Sequence, residues 1–485
     1  MIKLIPLLLY MVVMAGIGLY VRRSSRDGNF LETYFVGNRS LGGFMLAMTT
    51  VATYSSVSSF VGGPGMAYEV GFGWIYMAVV QVTAIILVLG IFGRRVAVIA
   101  RKINAVTVVD IIRARYNSNL LAGFSALAIV LFFSATMTAQ FVGGAKVFSA
   151  VTGYPYEYGL FLFGFVVVIY TSIGGFKAVA ITDTCCAIMM MIGIVILLHY
   201  ILDAGGGVES ILAKLTVESP HMFEINAGGK MPWSLYISQW FLVGICTLAL
   251  PQSVVRALSY KDTSGMRQAM IIGTIVIGFM NIGINFVGIL AHGVLNGDAA
   301  ANGGVDNVIP SAIAAAVPEN LIGLAIIGPL TASISTISGL LIVASSAIVK
   351  DVYVQYMSSR GLETNEKKMR RLSIVTTAVM GTVVFLIALN PPSLIWLINM
   401  FAFGGLETAF LWTLIFGLYW KSANRLGAEL SMIGGTLVYC FTQAIGFKIF
   451  GLHQIIIGLV VSLILFIIGV QFGKQSDDIT LKKFF

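Results

Sequence analysis

The sequence predicts an all-α polytopic membrane protein with about thirteen transmembrane helices. Composition is the first observation behind this fold class, since 58% of the 485 residues are hydrophobic and only 11% are charged. A soluble domain carries about 25% charged residues, so this chain has too little polar surface for a water-soluble fold of its size. Its 53 glycines are the second observation, because small residues let helices approach closely in membranes.

Apolar runs of spanning length are the third observation. The first, residues 4–21, resembles a signal peptide, but it lacks a small-residue cleavage site and a basic cluster follows it. We therefore expect a retained helix there. The other predicted runs cover residues 42–66, 70–92, 119–151, 157–174, 181–202, 234–255, 268–295, 320–348, 372–390, 393–419, 427–446 and 451–472.

The positions of Lys and Arg predict the orientation of these helices, because cytoplasmic loops carry an excess of both. If alternate loops face the cytoplasm, beginning with 22–41, the inside segments hold 25 of the 30 Lys and Arg residues. We therefore expect the N-terminus outside and the C-terminus in the cytoplasm.

The second run contains many Ser and Thr residues between Thr49 and Ser59, and Gly62, Gly63 and Pro64 close this segment. One interpretation is a continuous helix whose hydroxyls bond their own backbone. The other is a discontinuous helix that breaks and gates at the glycines and the proline. In that case the freed carbonyls and hydroxyls would coordinate a hard cation, which prefers oxygen ligands.

Pro251 interrupts the seventh run, because proline lacks the backbone donor of a continuous helix. A broken run therefore begins each of two sets of five runs. This arrangement is typical of transporters built from inverted repeats, whose sites lie near the membrane midplane.

The run 320–348 carries adjacent hydroxyls at Ser335 and Thr336, and the carbonyl of Ala332 lies one turn earlier. These groups share one face of a helix and would form half of a coordination shell for sodium.

Ionisable residues inside spans are costly, so each is a candidate for a functional site. Asp183 and Glu407 are such residues, although a helix cap for the first and a bond between helices for the second are alternatives. The four cysteines and four histidines show no disulfide framework and no metal-ligand spacing. No catalytic triad or phosphate loop is visible, so we expect no enzyme and no metal beyond sodium.

Three motifs together resemble the sodium/solute symporter family, and the resemblance extends over essentially the whole chain. They are ATYSSVSSFVGGPG at 52–65, YTSIGGFKAVAITDT at 170–184 and SISTIS at 333–338. The resemblance implies a LeuT-like fold in a bacterial inner (plasma) membrane. The implied regions are an extra N-terminal helix and cytoplasmic loop (1–41), a first inverted repeat (42–233), a second inverted repeat (234–422), and two C-terminal helices with a short cytoplasmic tail (423–485).

The resemblance also implies that sodium is co-transported and binds between the first and eighth core helices. The implied ligands are the carbonyls of Ala52, Ser55 and Ala332 and the hydroxyls of Ser335 and Thr336. Asp183 matches a family carboxylate that assists the release of sodium.

Further stretches, such as NMFAFGGLETAFLW at 399–412, resemble the members of the family that carry pantothenate. Pantothenate is therefore the expected substrate, while another organic anion, a sugar or an amino acid remains an alternative, and a transporter-like sensor is a further one. We expect no arginine to bind the carboxylate of pantothenate, because Arg256 is expected at the cytoplasmic end. The candidate substrate contacts beside the helix breaks are Tyr54, Ser56, Ser58, Gln140, Thr247, Gln252 and Asn399.

Overall fold

The computed structural model describes residues 4–24, 30–295, 304–390 and 395–485. In that part of the chain the regular structure is helical, and an isolated bridge between Leu41 and Tyr260 is the only β-pairing. The predicted all-α fold class is thus confirmed. Residues 25–29 of the predicted cytoplasmic loop and residues 393–394 of a predicted run lie outside the described residues.

Eight helices among the described residues are long and apolar enough to cross a membrane. Two bent pairs of helices raise this number to ten if each pair is one span, so the predicted total of about thirteen stays a prediction. The eight are Phe72–Lys102, Asn119–Thr152, Tyr156–Ala204, Thr263–Gly293, Ile322–Ser359, Glu366–Ala388, Leu397–Tyr419 and Gln454–Phe472. The bent pairs are Gly43–Tyr54 with Ser58–Val70 and Trp233–Ala249 with Pro251–Ser259.

Other helical segments of the described residues are shorter or less apolar. They are Ile5–Ser24, Phe30–Val36, Val108–Tyr116, Gly207–Glu218, Val305–Ala316, the segment 425–444, and Asp478–Phe484.

The 49-residue helix Tyr156–Ala204 contains one residue with non-helical dihedral angles, Gly175 (φ 64°, ψ −164°). Glycine adopts positive φ without steric cost, and a Cβ at this position would lie 2.8 Å from the ring of Tyr34. The predicted runs 157–174 and 181–202 lie on the two sides of this glycine.

Helix Ile322–Ser359 lies at the centre of the bundle, since 94% of its most apolar window is buried. The corresponding share is 33% in Phe72–Lys102 and in Glu366–Ala388, which therefore present apolar faces outward. Apolar outer faces suit lipid, because a bilayer offers no hydrogen bonds. The central helix packs against Tyr156–Ala204 and Asn119–Thr152, and it carries the predicted sodium ligands of the second repeat.

The first broken span changes direction by 67° at its break. Ser55 leaves the helical conformation there (φ −87°, ψ 83°), and the chain is helical again from Ser58. The expectation that Gly62, Gly63 and Pro64 form the break is therefore wrong. The chain stays helical through them, because a proline in the first turn of a helix needs no partner for an N–H.

The glycines of this segment instead permit close packing. A Cβ on Gly65 would lie 1.9 Å from the carbonyl oxygen of Val305, which begins helix Val305–Ala316. A Cβ on Gly63 would lie 3.1 Å from Oδ1 of Asn285. The segment thus brings the second half of the broken span against two neighbouring elements.

The second broken span bends by 43°. Leu250 is extended (φ −61°, ψ 134°), and Pro251 begins the following helix. The Tyr54 hydroxyl, at the end of the first half of the other broken span, lies 3.2 Å from the carbonyl of Thr247. The two breaks are therefore in direct contact.

Candidate functional site

The first break exposes backbone groups that a continuous helix would pair. The N–H of Val57 donates to Oε1 of Gln140 at 2.9 Å, which satisfies a donor that the break leaves free. The carbonyl of Ala52 accepts a hydrogen bond from Oγ of Ser335 at 2.9 Å. The break is therefore held from two sides by side chains of other spans.

The carbonyl of Ala332 on the central helix faces the same region. It accepts hydrogen bonds from Oγ1 of Thr336 at 2.9 Å and from Oγ of Ser335 at 3.3 Å. Oγ of Ser55 is buried and has no hydrogen-bond partner in the protein. The structure thus joins four of the five predicted ligand residues by hydrogen bonds and leaves an unpaired hydroxyl on the fifth.

All five of these residues are buried. Carbonyl and hydroxyl oxygens in a dry, confined space are the ligands that hard cations prefer. The arrangement can therefore bind a small cation without a carboxylate in contact with it.

Asp183 lies near this group and is fully buried. Its Oδ2 accepts a hydrogen bond from Oγ1 of Thr49 at 2.7 Å, and Oδ1 is 3.4 Å from Oγ of Ser338. Ser338 in turn donates to the carbonyl of Ser335 at 3.0 Å. The Ser338 hydroxyl therefore lies between this carboxylate and the oxygen cluster.

Arg256 is buried, which the sequence analysis did not predict. Its side chain pairs with Asp183 at 3.6 Å. Its guanidinium also donates to the carbonyls of Thr49 and Gln252, at 3.3 and 3.0 Å, and to the hydroxyl of Thr53. The helix after Pro251 continues inside the bundle, and the carboxylate partner offsets the cost of a buried charge.

A cleft with a volume of about 70 Å³ lies beside the two breaks. Four predicted substrate contacts line it, namely Tyr54, Ser56, Ser58 and Asn399. Its other lining residues are Ser59, Gly63, Trp74, Met77, Ala78, Gln81, Gln239, Val243, Asn281, Asn285, Met400 and Phe403.

Three predicted substrate contacts do not line the cleft. The side chain of Gln140 accepts a hydrogen bond from Val57 at the first break. Oγ1 of Thr247 donates to the carbonyl of Gly244 at 2.6 Å. Gln252 is buried, and its Oε1 has no partner in the protein.

Several amide side chains of the cleft were missed by the sequence analysis. Asn281 donates to Oε1 of Gln81 at 2.7 Å, and Asn285 donates to the carbonyl of Asn281 at 2.7 Å. Oδ1 of Asn285 and Oε1 of Gln239 have no partner in the protein. Amides four residues apart in an apolar helix were the available signal, since polar groups inside a membrane are costly.

The sodium:solute symporter family model matches residues 34–435 of this chain. The chain is 39% identical to the sodium/pantothenate symporter of Haemophilus influenzae over 481 residues, which cover 99% of this chain and 98% of that protein. It is 38% identical to the sodium/pantothenate symporter of Escherichia coli, with the same coverage. It is 29% identical to the osmoregulated proline transporter OpuE of Bacillus subtilis, over 99% of this chain and 97% of that protein.

The fold is similar to that of a solved Na⁺-coupled sialic acid symporter in a substrate-bound, outward-open state. The TM-score is 0.85 at 19% identity, over 98% of each chain. A nucleobase-cation-symport-1 family transporter is similar with a TM-score of 0.57 at 14% identity, over 92% of this chain and 97% of that one. At these identities the two structures establish the shared fold.

Proposed function

The chain belongs to the sodium:solute symporter family, and on this basis we propose that it couples the inward movement of sodium to the uptake of pantothenate by alternating access. The two relatives at 38–39% identity are sodium/pantothenate symporters, which supports this substrate. The chain spans the membrane several times, and we assign it to a bacterial inner membrane with the N-terminus outside.

The observation that carries the proposal is the oxygen cluster at the first break. We assign the carbonyls of Ala52, Ser55 and Ala332 and the hydroxyls of Ser335 and Thr336 to sodium. In this structure the Ser335 hydroxyl donates to the carbonyl of Ala52. Rotation of the hydroxyl proton away from Ala52 would leave both oxygens free to coordinate an ion. The proposed ligand of Ser55 is its carbonyl, but its unpaired hydroxyl also points to a ligand at this break, because a buried polar group without a partner is costly unless a ligand satisfies it.

The cleft suits a polar ligand that donates hydrogen bonds. Pantothenate carries a carboxylate, an amide and hydroxyl groups, and Asn285, Asn399 and Gln239 present amide oxygens without protein partners. Helix Ser58–Val70 begins at the cleft, and the positive end of a helix dipole favours a carboxylate. The cleft has about 70 Å³, whereas ligand pockets have roughly 300 Å³ or more, so we expect it to widen when substrate binds.

The proposed orientation makes this an outward-facing cleft. With the N-terminus outside, the cleft residues of Ser58–Val70 and Phe72–Lys102 belong to the outer halves of their spans, whereas Asp183 and Arg256 lie toward the inside. Their ion pair joins helix Tyr156–Ala204 to the second broken span, and we propose that it closes the inner path. We propose that Asp183 assists sodium release when this pair separates, and that Pro251 marks the hinge of the second break.

The repeat boundaries at 42–233 and 234–422 are part of the same proposal. Each proposed repeat begins with a bent pair of helices, which supports the division. The stretches 1–41 and 423–485 then flank the two repeats.

The driving force depends on the number of sodium ions. One sodium per pantothenate anion is electroneutral, and a tenfold sodium gradient then supplies about 1.4 kcal/mol, enough for about tenfold accumulation. A second sodium would add the same amount again and about 2.3 kcal/mol per 100 mV of membrane potential. The oxygen cluster accounts for one sodium.

Thermal unfolding of the purified chain tests the substrate assignment. Pantothenate at 100 times its Kd should stabilise the protein by about 2.7 kcal/mol in sodium buffer, and by less in potassium buffer. Proline and sialic acid serve as competing compounds. Stabilisation by one of these, and not by pantothenate, would reassign the substrate within the family.

A further inference from the structure

Glu407 lies in helix Ile395–Tyr419, where its side chain is fully buried. Neither carboxylate oxygen accepts a hydrogen bond from the protein. The ion pairs among the described residues do not include it. The proposed sodium site and the cleft do not use this carboxyl group either.

Three titratable side chains lie within electrostatic range of Glu407. They are Tyr54 at the first break, Cys246 before the second break, and Tyr439 in the segment 425–444. The Tyr54 hydroxyl contacts Thr247 and Ser253, and the Tyr439 hydroxyl donates to the carbonyl of Phe401 at 3.0 Å. The hydroxyl protons of both tyrosines are therefore engaged elsewhere, and none of the three groups carries a positive charge.

The position of Glu407 connects it with the cleft. Asn399 and Phe403 on the same helix line the cleft, and Glu407 follows Phe403 by four residues. Residues four apart lie on the same helical face, so Glu407 lies one turn beyond the cleft wall. Tyr54 lines the cleft and also lies within electrostatic range of Glu407.

An ionised carboxylate in such a place has neither a donor nor a cation to offset its desolvation. A buried group of this kind takes up a proton, unless it acquires a counter-ion. The described residues contain no group of three or more His, Cys, Asp or Glu that could hold a metal ion. We propose that Glu407 is a proton-binding site beside the cleft, which holds its proton in this conformation.

The proton would be linked to the ligand in the cleft, and this consequence rests on the proposed function. An anion in the cleft disfavours a second negative charge one turn away, so anion binding and protonation favour each other. A proton carried with one sodium and one anion would make the cycle electrogenic. Glu407 would then supply a second coupling cation without a second sodium site.

Infrared spectroscopy of the purified full chain at pH 7 tests the proton directly, because protonated and ionised carboxyls have different C=O stretching bands. The wild-type spectrum minus that of Glu407→Gln should contain the band of a protonated acid. Glu429→Gln is the matched control, since Glu429 accepts hydrogen bonds from Ser118 and Arg425 and should contribute bands of an ionised carboxylate.

Bands of an ionised carboxylate in the Glu407 difference spectrum would overturn the proposal, and a shift of those bands with sodium would reassign the site to sodium. If Glu407→Gln does not fold, wild-type protein with ¹³C-labelled glutamate replaces it. A protonated-acid band that moves with the label supports the proposal, and the absence of such a band overturns it.

The pH dependence of uptake tests the linkage at a fixed sodium gradient. Above its midpoint, wild-type uptake should fall by up to about tenfold per pH unit, the slope of one coupled proton, and Glu429→Gln should follow it. Glu407→Gln should lose this slope, and a profile that superimposes on wild type would overturn the linkage. Failure of the proposed function is distinguishable, because it removes sodium-dependent uptake from all three proteins and leaves the infrared band in place.

Discussion

Ser335 donates a hydrogen bond of 2.9 Å to the backbone carbonyl of Ala52, although 283 positions separate the two residues. The bond joins the first broken span to the central helix at the point where the chain leaves the helical conformation. Both partners present oxygen atoms that a sodium ion can coordinate. Ion binding at this contact would therefore change how the first broken span packs against the central helix.

Removing the two hydroxyls of the central helix should weaken sodium binding. Ser335→Ala combined with Thr336→Ala deletes two of the five proposed ligands, each worth about 1.5 to 3 kcal/mol as a bond to a charged group. We expect the sodium concentration for half-maximal uptake to rise at least tenfold, measured in proteoliposomes. Ser345→Ala is the matched control, because its hydroxyl bonds only the carbonyl of Ile342 on the same helix. An unchanged sodium requirement in the double variant would refute the ligand assignment.

The buried pair of Asp183 and Arg256 should show strong coupling in a double-mutant cycle. Each of Asp183→Asn and Arg256→Gln leaves an uncompensated buried charge, which costs about 3 to 5 kcal/mol. The double variant should lose less than the sum of the two, with a coupling of about 1 to 3 kcal/mol. Unfolding of the purified variants measures this. The partly exposed pair of Arg425 and Glu429 serves as control and should couple by less than about 1 kcal/mol. Additive losses at the buried pair would contradict the account.

Pro251→Ala should slow the transport cycle. Alanine restores a backbone donor at the second break and favours a stiffer helix. We expect the maximal uptake rate to fall several-fold while the sodium requirement changes little, because no ligand is removed. Pro220→Ala, in an exposed short helix, should leave both quantities unchanged. If Pro251→Ala had wild-type kinetics, the hinge role would be excluded.

Gly65→Ala should disturb the packing of the second half of the first broken span, Ser58–Val70. Its Cβ would lie 1.9 Å from the carbonyl oxygen of Val305, so helix Val305–Ala316 must shift. Overpacking of this kind costs about 1 to 3 kcal/mol in thermal stability. Gly123→Ala is the control, since a Cβ there meets no atom within 4 Å and alanine favours a helix. Equal stability of the two variants would show that the close contact is unimportant.

Asn399→Ala should weaken substrate binding and spare the sodium site. Asn399 lines the cleft, and its amide oxygen has no protein partner. Loss of a hydrogen bond to an uncharged ligand group costs about 0.5 to 1.5 kcal/mol, so the apparent Km for pantothenate should rise about two- to tenfold. The sodium requirement should stay as in wild type. Asn226→Ala, at an exposed turn, is the control and should change neither the Km for pantothenate nor the sodium requirement. An unaltered Km would remove Asn399 from the substrate site.

The sequence predicts which segments of the chain contain helix breaks better than it predicts the residue at which each helix breaks. The hydroxyl-rich segment near Ser55 and the proline at 251 both indicate the helix breaks. A break inside a membrane leaves backbone groups unpaired, and hydroxyl side chains can satisfy them. The exact location of the first break was missed, since Pro64 and its neighbouring glycines have the composition of a break but lie in a helix. Composition does not distinguish a glycine that bends a helix from one that permits close packing.

Local sequence patterns did not predict the burial of Arg256 or the position of the amide side chains in the cleft. Arg256 follows a break, and its burial depends on how far the next helix continues into the bundle and on Asp183 in a distant span. Asn281 and Gln81 face the cleft only because two spans far apart in sequence pack together. Such relations are set by tertiary packing, which a single sequence does not reveal.

The most direct test of the central claim is uptake of radiolabelled pantothenate into proteoliposomes that contain the purified chain, with an inward sodium gradient and with the same gradient of potassium. The account predicts saturable accumulation with sodium only, abolished when the sodium gradient is collapsed. Equal uptake with both ions, or no uptake by protein that is shown to be folded, would contradict it.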